Sequence, residues 1–213
     1  LAFTRKIKHF VLAQEEHEWT GRKYRSQMVE LTGCTMGIVG FGTVGRAVAK
    51  GAQAFDMRIM AVDLFPQNKP EYVAELWNIE ELPTLLAESD YVVVTVPHTP
   101  DTVGMIGEEE LARMKQDAIL VGISRGGIID EPALADALRD GRLKAAALDV
   151  FGQEPLPEDS ELWDIDNLLI TPHAAGGTQF EGQYVLEILT ENLRRFLHND
   201  LPLRNQIDKA RGF

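Results

Sequence analysis

The chain has 213 residues, with 33 acidic and 21 basic side chains and a formal net charge of −12. That acidity argues against nucleic acid or anionic lipid as a partner, since both carry dense negative charge, and no apolar run reaches the roughly 20 residues of a membrane span. The one cysteine, Cys34, gives neither a disulfide framework nor a CxxC metal site, so no metal is expected and a reducing, cytoplasmic setting fits.

The first segment, LAFTRKIKHFVLAQ, places Phe3, Ile7, Phe10 and Val11 at helical spacing with charges throughout. It reads as an amphipathic helix already under way at Leu1, and not as a signal peptide. A start inside a helix is what a piece of a longer chain would show. Beyond it, short apolar runs alternate with longer periodic segments, the pattern of a parallel α/β sheet. Six strands are expected, over Cys34–Val39, Met57–Val62, Tyr91–Val96, Ala118–Ile123, Ala145–Leu148 and Leu168–Ile170. Cys34 then reads as a small buried strand residue. Helices are expected over Thr43–Phe55, Ile79–Ala87 and Glu108–Met114, then from an N-cap at Asp130, and last from Gln179 to His198 with Val185, Leu189, Leu193, Phe196 and Leu197 on one stripe. The architecture is a doubly wound (Rossmann) α/β fold in the usual order 3-2-1-4-5-6, whose ligands bind beyond the carboxyl ends of the strands.

The first strand runs into Gly40-Phe41-Gly42-Thr43-Val44-Gly45. A GxGxxG alone is weak, but here a strand precedes it, a helix follows, and an acid, Asp63, ends the second strand about 20 residues on. Gly40 permits the tight turn, Gly42 lets a pyrophosphate approach the backbone, and Gly45 lets the helix pack on the strand. Thr43 and Val44 open the helix and present free N–H groups to phosphate. Asp63 is suited to ribose hydroxyls and opposes a 2′-phosphate, so NAD is expected over NADP. Pro97, after the third strand, is placed against the adenosine side. Its neighbour His98 is taken as a bystander, too far from the nicotinamide.

Three titratable residues follow the last three strands: Arg125 in Gly122-Ile123-Ser124-Arg125-Gly126-Gly127, Glu154 in Asp149-Val150-Phe151-Gly152-Gln153-Glu154-Pro155, and His173 in Thr171-Pro172-His173. Singly, each reads as an ordinary surface residue. At successive strand ends beside a dinucleotide loop they read as a site. A histidine can take or give a proton near neutrality. A glutamate can fix its tautomer and favour its protonated form, and an arginine fork suits a planar acid.

These segments, with Asp130-Glu131 after the Arg-Gly-Gly run, resemble the D-isomer-specific 2-hydroxyacid dehydrogenase family in order and spacing over essentially the whole chain. The resemblance implies NAD-dependent hydride transfer with a small 2-hydroxy or 2-keto acid. It implies His173 as acid–base group, Glu154 as its partner, Arg125 on the substrate carboxylate and carbonyl, and Asp149 near the nicotinamide carboxamide. It also implies a homodimer and a substrate domain supplied mostly by upstream residues. Residues 1–175 would be the NAD-binding domain and 176–213 a segment returning to that second, largely absent domain. Gly122-Ile123 and Ala145 depart from the family's commoner residues without removing a catalytic group, and Glu154, where formate-acting members carry Gln, argues against formate. Two other readings are an NAD-sensing, corepressor-like interaction protein and an inactive nucleotide-binding fragment.

Overall fold

The computed structural model describes residues 1–209, so residues 210–213 of the expected return segment lie outside it. Seven strands form one sheet: β1 (Thr35–Val39), β2 (Arg58–Asp63), β3 (Glu75–Asn78), β4 (Tyr91–Val94), β5 (Ile119–Gly122), β6 (Ala145–Leu148) and β7 (Leu168–Ile170). All neighbours pair in parallel, in the order β3-β2-β1-β4-β5-β6-β7. The helices are α1 (Ile7–Glu15), α2 (Gly21–Tyr24), α3 (Thr43–Gln53), α4 (Leu82–Glu88), α5 (Glu108–Arg113), α6 (Glu131–Arg139) and α7 (Glu181–Leu197).

The central strands are apolar at nearly every position because helices cover both faces of the sheet. Alternation along β1 shows it. Ile38 belongs to a core with Ala49 and Ala52 of α3 and with Ile59 of β2. Val39, one residue on, faces the opposite core, with Leu85 of α4, Leu111 of α5 and Leu134 of α6. Full burial of each such leucine stabilises the fold by roughly 1.5–3 kcal/mol. Asp130 caps α6 as the sequence indicates, its Oδ1 accepting from Ala133 N at 3.0 Å, with Pro132 in the first turn.

Four expectations need correction. The seventh strand, β3, is absent from the sequence reading because it lies at the sheet edge, is only half-buried, and carries Glu75, Trp77 and Asn78 instead of an apolar run. With six strands counted, Tyr91–Val96 would be third and would sit outside the second. It in fact pairs with β1, and the usual order holds only once β3 takes third place. Cys34 precedes β1 and is half-buried, its thiol donating to the Glu30 carbonyl at 3.3 Å. The first helix starts at Ile7, after a left-handed Lys6 (φ 55°), and Leu1–Arg5 form turns instead of a helix in progress.

Helix α7 buries none of its residues, and its apolar stripe, including Leu189, Leu193 and Phe196, is open. No helix among the described residues is long and apolar enough to cross a membrane, and no group of three or more His, Cys, Asp or Glu among them could hold a metal.

Candidate active site

The sheet order reverses between β1 and β4, and at that edge a cleft of about 800 Å³ opens over the strand ends. Its lining includes Gly42, Thr43, Val44, Pro97, Arg125, Glu154 and His173. The other expected site residues, Gly40, Gly45, Asp63 and Asp149, stand behind this lining and shape it. A second cavity of about 540 Å³ lies at the opposite, amino edge, under α1 and lined by Tyr91, Ile119 and Ala145. Among the described residues that line it, no acid is ion-paired with a base.

The glycine-rich turn has the geometry a dinucleotide requires. Gly40 has φ +94° and fits against Val96, where a Cβ would lie 2.9 Å from the Val96 nitrogen. A Cβ on Gly45 would lie 2.2 Å from the Gly40 carbonyl, so α3 rests directly on the turn. A Cβ on Gly42 would meet nothing within 4 Å, because that residue faces the open cleft. The N-terminus of α3 points its free N–H groups at the same space. Asp63 ends β2, and its carboxylate accepts from Phe41 N at 2.6 Å and from Phe65 N at 2.8 Å, which fixes it beside the turn. Each oxygen keeps a lone pair for a ribose hydroxyl. These residues fit a bound NAD.

On the other side of the cleft, His173 Nδ1 and Glu154 Oε2 are 2.7 Å apart. Glu154 Oε1 accepts from Phe151 N at 2.9 Å, so both carboxylate oxygens are aimed. The His173 hydrogen bond, then the Phe151 N–H, hold the Glu154 carboxyl below the usual carboxylate range. With Nδ1 committed to Glu154, the imidazole Nε2 is left for a ligand. His173 itself sits at φ 51°, a conformation that non-glycine residues adopt uncommonly. Asp149 maintains it. This buried side chain accepts from Thr171 Oγ1, from Ala174 N at 2.9 Å and from Ala175 N at 2.9 Å, while its carbonyl accepts from His173 N at 2.8 Å. Burial pushes the Asp149 carboxyl up, but these hydrogen bonds outweigh it and hold the group below the usual range.

Arg125 is exposed, with Nη1 donating to the Ser124 carbonyl at 2.7 Å and no ion pair among the described residues. Its guanidinium therefore keeps donors for a ligand. The structure also gives contacts to residues for which the sequence assigns no role. His98 lines the same cleft, with Nε2 3.5 Å from where a Gly127 Cβ would be. Gly126 and Glu131 hold the loop that carries Glu154. A Cβ on Gly126 would lie 1.8 Å from the Phe151 carbonyl oxygen, and Glu131 Oε1 accepts from Gly152 N at 2.6 Å.

Residues 1–175 match the family model for the NAD binding domain of D-isomer specific 2-hydroxyacid dehydrogenases. The chain belongs to that family.

Among relatives, it is 43% identical over 175 residues to a glyoxylate reductase of Korarchaeum cryptofilum, covering 81% of this chain and 52% of the relative. It is 36% identical over 202 residues to a glycerate dehydrogenase of Methylorubrum extorquens, covering 92% and 62%. The chain thus spans about half to three fifths of the length of these 2-hydroxyacid dehydrogenases. Among solved structures, a D-isomer specific 2-hydroxyacid dehydrogenase of Xanthobacter autotrophicus in complex with NADPH and MES superposes with a TM-score of 0.87 at 34% identity, covering 100% of this chain and 84% of that one.

Proposed function

We propose that the whole protein is an NAD-dependent oxidoreductase that moves a hydride between NAD(H) and a small 2-hydroxy or 2-keto acid. The observation that carries this reading is the Glu154–His173 pair, 2.7 Å apart, in one cleft with Arg125 and the glycine-rich turn.

When bound, the cofactor supplies the hydride acceptor for oxidation and the donor for reduction. Gly42, Thr43 and Val44 hold its pyrophosphate, Asp63 its adenosine ribose and Pro97 its adenosine side, with Gly40 and Gly45 shaping the turn. Asp149 would lie near the nicotinamide carboxamide, as the family resemblance implies, behind the contacts it makes to residues 171–175. Arg125 clamps the substrate carboxylate and polarises the carbonyl oxygen. His173 takes the hydroxyl proton at Nε2 during oxidation and returns it during reduction. Glu154 holds the ring in the tautomer that leaves Nε2 free for this exchange and offsets the charge on the imidazolium.

Two proposals about the surroundings follow. Residues 176–213 belong to the substrate domain, which accounts for the open stripe on α7. A second copy covers Ile7, Val11 and Leu12 of α1, each about half exposed, in a homodimer.

The test is turnover by the whole protein on a panel of 2-keto acids with NADH. His173→Ala should lower the rate by roughly 10²–10⁴-fold, the usual worth of a positioned acid–base group, with cofactor affinity nearly unchanged. Wild-type NAD binding without turnover on any acid would favour the nucleotide-sensing reading instead.

A further inference from the structure

The loop that carries Glu154 is held from outside. Between Asp149 and Glu154, residues 150–153 make no helix or strand, so nothing in regular structure fixes where the Glu154 carboxylate points. Three contacts do. The Phe151 N–H donates to Glu154 Oε1 at 2.9 Å and sets the carboxylate orientation directly. The Phe151–Gly152 peptide lies against Gly126, where a Cβ would come 1.8 Å from the Phe151 oxygen and 2.5 Å from the Gly152 nitrogen. The Gly152 N–H donates to Glu131 Oε1 at 2.6 Å. Glu131 is the first residue of α6, whose N-cap Asp130 and buried Leu134 and Leu138 anchor it to the core. The core thus holds its backbone, from which the side chain reaches the Gly152 N–H.

We propose that Glu131 is a positioning residue for the reaction: it pins the Gly152 N–H, holds the Phe151–Gly152 peptide against Gly126, and so aims the Phe151 N–H at Glu154 and Glu154 at His173. The inference rests on the functional reading above, in which Glu154 serves His173. The arrangement has a second consequence. Gly126 is the residue after Arg125, so the group that grips the substrate and the loop that aims the acid–base pair share one contact surface. The distance between the carboxylate clamp and the proton donor is thereby set within the protein. Charge-assisted hydrogen bonds of a carboxylate to a backbone N–H are among the stronger ones, and aiming errors of about 1 Å can cost about 10²-fold in rate.

The test uses the whole protein and a double-mutant cycle. Glu131→Ala leaves the Gly152 N–H without its acceptor, whereas Glu131→Gln keeps an acceptor oxygen at nearly the same place. Glu131→Ala should lower kcat for keto-acid reduction about 10-fold, the order expected when one such hydrogen bond goes, with KM and the NAD+ dissociation constant within about 2-fold of wild type. Glu131→Gln should recover most of that loss. In a Glu154→Gln background, Glu131→Ala should add little, because both act on one pair. Full additivity with Glu154→Gln, failure of Gln to rescue, or a parallel loss of NAD+ affinity would each overturn the inference. If Glu154→Gln alone is harmless, the functional reading of the pair fails. If Glu154→Gln is damaging and Glu131→Ala is not, only the present inference fails.

Discussion

The Glu154 carboxylate and the His173 imidazole are joined at 2.7 Å across 19 residues of sequence, and neither is buried. Exposure means that solvent screens the pair, so its worth lies in orientation and proton control more than in stability. Glu154 has its carboxyl held below the ordinary range by this contact first, so it remains charged across the neutral range.

Replacing that charge gives the first prediction. Glu154→Gln keeps the shape but leaves one acceptor oxygen where the carboxylate has two, one towards His173 Nδ1 and one towards Phe151 N. The ring loses the partner that orients it, so kcat should fall about 10–100-fold for keto-acid reduction and hydroxy-acid oxidation alike, with NAD+ affinity nearly unchanged. Steady-state kinetics in both directions check this, and an unchanged kcat would show that Glu154 does not orient His173.

Asp149 gives a stability prediction with a definite sign. Its carboxyl is held low in the folded state by Thr171, Ala175 and Ala174 despite burial, whereas the unfolded chain has it near 3.9. The group therefore contributes stability above its unfolded value and loses it as pH falls through its folded value. Asp149→Asn places an NH2 where an N–H or hydroxyl donor already points, and should cost about 1–3 kcal/mol at neutral pH. The gap to wild type should narrow in acid. Thermal melts from neutral pH to below pH 3 test this, and a constant gap would be the contrary result.

Much of this was legible in the sequence, for physical reasons that differ between elements. Strands such as β1 and β4 are covered on both faces and read as largely apolar runs, and Asp130 announces α6 as an N-cap. The edge strand β3 has no such run, since one side of it meets solvent, and its loss displaced the expected neighbour of β2. In the site, Arg125, Glu154 and His173 could be picked out because side-chain chemistry is local and the fold class dictates that strand ends meet. The roles of Gly126 and Glu131, which the sequence offers only as parts of a motif, could not, because each acts through a contact with a loop more than 20 residues away. The Asp149 contacts to residues 171–175 have the same origin. Beyond the motif itself, the signal at position 131 was an acid following an N-cap, which reads equally as a first-turn helix charge.

Gly126 offers a steric test of the same region that does not involve charge. A methyl group there would lie 1.8 Å from the Phe151 carbonyl oxygen and 2.0 Å from its carbon, so backbone must move. Gly126→Ala should therefore displace the Glu154 loop and lower kcat about 10²-fold, the cost of a misplacement of about 1 Å. NAD+ affinity should fall far less, because Gly42 in the turn before α3 and Asp63 at the end of β2 lie on other elements. Fluorescence titration with NAD+ beside steady-state kinetics checks the separation, and equal losses in both would mean that the whole cleft had been disturbed.

The last prediction concerns cofactor choice, where the family gives two answers. The Xanthobacter autotrophicus relative was solved with NADPH, so membership alone does not decide between NAD and NADP. Asp63 should, on electrostatic grounds. Its carboxylate is fixed by Phe41 N at 2.6 Å and Phe65 N at 2.8 Å, so it cannot swing away from a 2′-phosphate placed at the end of β2. Two like charges held about 4 Å apart at a partly exposed site repel by roughly 4 kcal/mol before screening by salt and movement of the ligand, and even a quarter of that is about 5-fold in affinity. NAD+ should bind more tightly than NADP+, and Asp63→Asn should narrow the gap mainly by improving NADP+ binding. The two backbone contacts make a further demand. Asparagine keeps only one acceptor oxygen for Phe41 N and Phe65 N, so Asp63→Asn should also weaken NAD+ binding modestly by loosening the turn. Titration of wild type and variant with both cofactors, at low and at high salt, separates the effects. The electrostatic part should shrink with salt and the turn effect should not. Equal or tighter binding of NADP+ by wild type would show that Asp63 does not select the cofactor.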